Sequence, residues 1–262
     1  MTRYHISFAG AGRVASSLCT ALYQAGHTID TVVSEKGLSA RKLASLCNAE
    51  WSDELIFPAS TRIIIVSVPD HKLTGVLEEI RYSEGTLIAH TAGSFGLDVF
   101  PETITDRGVL YPLQTFSPGR KIDFSGLPFI IESDLKQSEQ TLTEIALSLG
   151  GKTHFMGVEM RRKLHLAAVF VCNFTNHMFT SGKEIADKSG ISFDIFKHLI
   201  METVSKALAE GPERSQTGPA VRNDRNTIEK HLELLSDSPG LKELYATITE
   251  SIMKYYKKDQ RG

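Results

Sequence analysis

Apolar residues follow two regimes along the 262-residue chain. Up to about residue 156, short β-branched or apolar runs alternate with segments of helical period. The runs predict strands at His5–Ala9, Thr28–Val33, Ile63–Val68, Thr86–His90, Val109–Tyr111, Pro128–Glu132 and Lys152–Phe155. Between them, Val14, Leu18, Ala21 and Leu22 stand at i, i+4, i+7 and i+8, one stripe of a helix that ends near Gly26. A second helix runs through Arg41, Leu43, Ala44 and Leu46, and another through Leu142, Ile145 and Leu149. Ile63–Val68 is apolar almost throughout, as in a strand covered on both faces; Pro69 stops it, and Asp70 is placed to cap the next segment. Strands alternating with helices imply an α/β, doubly wound, mostly parallel sheet with right-handed connections.

From about Gly157 only helical periods remain, so the chain is expected to divide into a dinucleotide-type domain, 1–156, and an all-α domain, 157–262. Leu164 to Phe174 is apolar nearly all round, which predicts a buried helix carrying His165 and Asn173 on about one face, at i and i+8. Phe193 to Glu210 reads as a second helix, stopped by Gly211-Pro212. Thr217-Gly218-Pro219 is expected to open a third, with Val221, Ile228, Leu232 and Leu235 as its buried stripe. Pro239-Gly240 precedes a last helix through Leu244, Ile248, Ile252 and Tyr256, and a frayed tail is expected from Lys257 to Gly262.

Composition narrows the functions. Hydrophobic residues make up 41% and charged residues 23%, a globular balance, and a net charge of −2 offers no basic footprint for nucleic acid. No apolar run reaches the roughly 18 residues of a membrane span. The first strand begins at once, leaving no room for a secretory signal, so a cytoplasmic protein is expected. Cys19, Cys47 and Cys172 are odd in number and scattered, which reads as reduced thiols rather than a disulfide framework or a metal site.

Chemistry enters at Gly10-Ala11-Gly12-Arg13-Val14-Ala15, a Gly-x-Gly-x-x-Ala turn between a predicted strand and a predicted helix. Gly10 suits a tight turn, Gly12 lets a pyrophosphate approach the backbone, and Ala15 permits close helix–strand packing. Amides at the helix start then face an anion, with the positive end of the helix dipole behind them. The plain alternative is a glycine turn that binds no nucleotide. Glu35, 23 positions beyond Gly12, is placed to accept the ribose 2′-hydroxyls of NAD, whereas Lys36 and Arg41 beside it favour the 2′-phosphate of NADP. The acid tips the balance toward NAD, and a solvated charge cluster explains Lys36 and Arg41 equally well. Polar residues collect at successive strand ends: Ser67, His90, Thr91, Ser94 and Gln114. Ligands of open parallel sheets bind outside those ends, although ordinary loops contain the same residue types. The cofactor set expected is therefore Gly10, Ala11, Gly12, Arg13, Val14, Ser34, Glu35, Lys36, Ser67, Val68, Pro69, His90 and Thr91, with Ser94, Gln114 and Arg222 toward substrate. His165 and Asn173 need buried partners, either a ligand or neighbouring protein groups.

These blocks, with Val68-Pro69-Asp70, His90-Thr91-Ala92-Gly93-Ser94, Tyr111-Pro112-Leu113-Gln114-Thr115-Phe116, His165-Leu166-Ala167-Ala168 and Thr217 to Asp224, resemble a bacterial family over nearly the whole chain. Its members join a Rossmann-like domain to a helical domain of no established function. They are relatives of pyrroline-5-carboxylate reductase, ketopantoate reductase and the 6-phosphogluconate dehydrogenase group. The resemblance implies an NAD(P)-dependent oxidoreductase acting on a small anionic substrate between its domains, with a 6-phosphogluconate dehydrogenase C-terminal-like second half; about 105 residues of helices with several apolar stripes make a thin domain, which predicts a homodimer sharing a core through the helical half. The chain departs from the pattern in carrying Tyr111 where members carry His, and Val169 where related dehydrogenases carry a lysine four residues before Asn173. His165 then becomes the expected proton donor or acceptor, Asn173 the group orienting substrate and Arg222 an anion clamp. A cofactor-binding sensor or regulatory protein without turnover is the alternative.

Overall fold

The computed structural model describes residues 2–259. The expected tail lies partly in the last helix, through Asp259, and residues 260–262 fall outside the described part. The chain forms two compact units, Met1–Asn173 and Phe174–Gly262.

The first unit is an eight-stranded sheet in the order β3-β2-β1-β4-β5-β6-β7-β8. Its strands are β1 (His5–Ala9), β2 (Thr28–Val33), β3 (Glu50–Ser52), β4 (Ile63–Val66), β5 (Leu87–His90), β6 (Arg107–Pro112), β7 (Pro128–Glu132) and β8 (Lys152–Phe155). All neighbours run parallel except β6 and β7. Ile63, Ile64, Ile65 and Val66 are at most 1% exposed, and each contributes about 1.5–3 kcal/mol by leaving water. β3 is not foreshadowed by the pattern: Glu-Trp-Ser lacks a β-branched run, and an edge strand needs none.

Helix α1 (Arg13–Gln24) buries Ala15, Leu18, Cys19 and Leu22, so its inner stripe is centred beside the expected one; Val14 and Ala21 pack at its margin. Gly26, with φ +93°, ends it as expected. Helix α2 (Gly37–Leu46) buries Ala40, Leu43 and Ala44. Pro69, not Asp70, begins the next turn, a short 3-10 helix from Asp70 to Lys72 that runs into α3 (Leu73–Glu79). Helix α4 (Lys136–Ser148) precedes β8. Cys19 and Cys47, far apart in sequence, bring their sulfurs within 3.5 Å. The hydrogen bond to Cys47 and burial push the Cys19 thiol up.

Helix α5 (Val158–Ala168) belongs with the sheet and continues into a π-helical stretch, Val169–Phe174. The expected uniformly buried helix is not found: Leu166 is 59% and Val171 75% exposed. The second unit holds α6 (Thr175–Lys188), a 3-10 turn (Phe193–Phe196), α7 (Lys197–Glu210), α8 (Pro212–Ser215), α9 (Arg225–Leu234) and α10 (Pro239–Asp259). α9 begins later than Pro219 because Asp224 caps it, its carboxylate accepting from the Thr227 amide at 3.1 Å and hydroxyl at 2.8 Å. Those bonds hold the Asp224 carboxyl below its ordinary range. Of the expected stripe, Leu235 is buried and Val221, Ile228 and Leu232 are half-buried. No described helix is long and apolar enough to cross a membrane.

Candidate functional site

Sheet order reverses between β1 and β4, the switch point outside which open parallel sheets bind ligands. The Gly10 turn sits there. Gly10 has φ +112°, and its amide donates to the Val33 carbonyl at 2.7 Å. A Cβ at Gly10 would lie 2.2 Å from the Ser67 carbonyl oxygen, so only glycine fits between the two strand ends. A Cβ at Gly12 would meet nothing within 4 Å, because this residue opens onto empty space at the start of α1. No side chain caps that helix and no acid occupies its first turn, which leaves its amides available to an anion. Ala15 is fully buried, filling the close-packing role of the third position. Tight turn, open cradle and uncapped helix together fit the pyrophosphate of a dinucleotide.

The flanking residues divide. Ser67 is nearly buried; its amide donates to the Ala9 carbonyl, and its hydroxyl accepts from Thr91 at 3.2 Å, tying the ends of β4 and β5 together beside the turn. Val68 approaches Gly10, and Pro69 turns the chain away from β4. The Ser34 hydroxyl accepts from the Lys36 amide at 3.3 Å, so Ser34, Glu35 and Lys36 form a compact loop after β2. Glu35 forms an ion pair with Lys72, which holds its carboxyl below the usual range. The acid expected to face a ribose thus already has a cation beside it. Arg13, at the start of α1, reaches within 3.5 Å of the Phe116 carbonyl.

His90 is fully buried, its ring stacked on Phe100. The Ala92 amide donates to Nδ1 at 3.2 Å, so the proton sits on Nε2, which faces the Gly96 carbonyl at 3.3 Å. Burial pushes the imidazole down to about 4. His90 is a neutral clasp that shapes the loop after β5.

That loop is gripped from the other side by α5. Arg161 is wholly buried, pairing with Glu132 at 2.6 Å and donating to the carbonyls of Met156 and Phe95; its Nε has no partner. Arg162 donates to the Ser94 carbonyl at 2.9 Å, so the structure uses Ser94 through its backbone. One turn on, His165 Nδ1 lies 3.0 Å from the Tyr111 hydroxyl, and both rings close over Gly93, where a Cβ would come within 3.0 Å of each. Burial pushes the Tyr111 phenol up, so it keeps its proton and pairs with His165 Nδ1 as a neutral hydroxyl.

Asn173 does not share this setting: it is exposed and lies in the π-helical stretch that follows α5. Gln114 turns its side-chain oxygen back onto the Thr115 amide at 2.8 Å. Arg222 is exposed in the turn before α9 rather than in a helix. Arg161 and the Tyr111–His165 contact are the groups sequence reasoning missed; a charged residue among the apolar positions of a helix was the only signal.

Residues 1–116 match the Rossmann-like domain family, and residues 127–252 match the domain of unknown function DUF2520. No curated protein matches the chain. Among solved structures, a candidate NADP oxidoreductase from Bacteroides fragilis is 39% identical, with a TM-score of 0.88 over 96% of this chain and 98% of that one. An imine reductase from Myxococcus stipitatus in complex with NADP+ is 18% identical (TM-score 0.63, 98% and 94% covered). A pyrroline-5-carboxylate reductase from Coxiella burnetii is 15% identical (TM-score 0.60, 98% of each). These last two share the fold. The chain belongs to the family that joins a Rossmann-like domain to a C-terminal DUF2520 domain.

Proposed function

We propose that the protein is an NAD(P)-dependent oxidoreductase acting on a small, anionic substrate. The observation that carries this reading is the Gly10–Gly12 turn, locked by Ser67 behind Gly10 and open in front of Gly12. The 39% identical Bacteroides fragilis relative, described as an NADP oxidoreductase, supports it. A bound nicotinamide dinucleotide supplies hydride transfer; the protein supplies binding, orientation and a proton. Gly12 and the first amides of α1 hold the pyrophosphate, and Ser67, Val68, Pro69 and Thr91 form the wall beside it. Tyr111 occupies His165 Nδ1, so Nε2 is the atom that exchanges a proton with substrate. Arg161 and Arg162 fix the loop after β5, which keeps His165 and Tyr111 in place over Gly93.

Cofactor choice rests on Glu35. Its carboxylate favours NAD, and its pairing with Lys72 weakens that preference. Residues 1–156 are read as the cofactor-binding domain and 157–262 as the substrate and dimerisation domain. The partner is a second copy. Helix α7 has no buried residue, and Met201, Val204 and Leu208 line one of its faces at i, i+3 and i+7, all exposed.

Fluorescence titration with NADH and NADPH tests the reading. At least one is expected to bind below about 1 mM, a typical weak-ligand limit. His165→Gln is expected to bind the same cofactor unchanged while turnover of any reduced substrate falls roughly 10²-fold. Failure of both cofactors to bind overturns the proposal.

A further inference from the structure

Beside Gly12, on the flank of α1, lies a cleft of about 670 Å³ between α1, α2 and the loop joining β6 to β7. Its floor is apolar, with Leu43 and Phe124 buried. Its rim carries Arg13, Lys42, Arg120 and Lys121, and no carboxylate lines it. None of these four cations enters an ion pair among the described residues. The whole chain has 31 acidic residues against 29 Lys and Arg, so four bases without an acid are a local segregation of charge. The loop is pinned at its ends: Phe116 packs against Phe124 with centroids 6.5 Å apart, and Phe124 stacks on Phe129 at 6.0 Å. That anchoring brings Arg120 and Lys121 to the cleft.

Size alone does not single it out. A cleft of about 720 Å³ in the helical unit is lined by Glu184, Asp237 and Glu243. Its one lysine, Lys188, is already bonded to Glu184 at 2.8 Å and to Ser238 at 2.9 Å.

We propose that the cleft flanking α1 binds a phosphate-bearing ligand with an apolar or aromatic body. Two arginine forks and two lysines place four positive charges on the rim; a phosphate dianion offsets two of them and offers oxygens to both forks, whereas a single carboxylate offsets one. Serine hydroxyls at positions 16, 17, 39 and 117 line the same space. The volume suits a small metabolite, within the range of about 300–1,000 Å³ of such sites. The phosphate belongs either to a dinucleotide seated in the adjoining turn, as its 2′-phosphate, or to a separate molecule. In the first case the inference rests on the oxidoreductase reading; in the second it does not.

Calorimetry on the full chain with inorganic pyrophosphate as probe, without nucleotide and at low salt, tests this. The wild type is expected to bind below about 1 mM. The double variant Lys42→Gln/Lys121→Gln should bind about 10-fold or more weaker with NADH affinity and melting temperature unchanged. A preference for NADPH over NADH that disappears in the double variant identifies the phosphate as the dinucleotide's. Pyrophosphate binding that survives saturating NADPH identifies a separate ligand. Pyrophosphate affinity equal in wild type and double variant, or no binding at about 10 mM, overturns the proposal. A wild type that takes pyrophosphate as expected but neither NADH nor NADPH refutes the oxidoreductase reading and leaves this one standing.

Discussion

The two units solve the folding problem differently. In the sheet unit Ile6, Phe8, Leu18, Leu22, Ile65 and Phe129 are fully buried. In the helical unit the buried apolar residues among those described are Ala186, Ala220 and Leu235, while Ile195, Leu199, Met201 and Leu208 are each more than half exposed. A parallel sheet covered by helices hides its apolar strands within one chain. Separate amphipathic helices with small buried residues do not, and they gain stability only when another surface covers them. The first unit is thus closed on a core of its own, and the second leaves apolar side chains exposed.

The largest expected effect breaks that contrast at α7. Val204→Asp/Leu208→Asp places two charges on the apolar face and should convert a dimer into a monomer. The loss is about 3–6 kcal/mol from burial alone, at about 1.5–3 kcal/mol per side chain. Sedimentation equilibrium at micromolar concentration reads it, and a monomeric wild type would show that the α7 face has no second copy on it.

Next is the sheet unit's own buried charge. Arg161→Ala leaves Glu132 without its cation and the Phe95 and Met156 carbonyls without their donor. Urea unfolding should show a loss of about 3–5 kcal/mol in the sheet unit.

A smaller effect, also confined to the sheet unit, depends on pH. His90 falls from the ordinary histidine value near 6.5 to about 4, and burial pushes His27 in the same direction. The fold holds these rings neutral, so their contribution is complete above about pH 6.5 and is lost as pH falls below it, for His90 down to about 4. For His90 it amounts to about 3 kcal/mol. Unfolding free energies at pH 7 and pH 4.5 should differ less in His90→Gln than in the wild type.

Smallest is the effect of Glu35→Gln, which frees Lys72 from its carboxylate. The NADH-to-NADPH affinity ratio should move toward NADPH by less than about tenfold, since the pair is exposed. An unchanged ratio means Glu35 does not face the ribose.

Sequence reading reached the sheet unit far better than the helical one, for physical reasons. β-branched runs such as Ile63–Val66 and turn glycines such as Gly10 and Gly26 write their conformation into residue type. The π-helical stretch at Val169–Phe174 has no such signature. The antiparallel insertion of β7 was equally hidden, because a buried strand has the same composition in either direction. Tyr111 and His165 are 54 positions apart, and only the fold brings them to 3.0 Å. Asp224 as the true start of α9 was legible in principle: an Asp followed three residues later by Thr is a capping pattern, but Pro219 offered a competing signal.

Whether the open cradle at Gly12 receives a dinucleotide is decided by Gly12→Val. Its branched side chain would enter space that is empty in the folded protein and leave the core untouched. In fluorescence titrations with NADH and NADPH, the variant is expected to melt like the wild type and to bind either cofactor at least about tenfold more weakly, a cost of about 1.4 kcal/mol. Wild-type affinity in a folded Gly12→Val protein would contradict it.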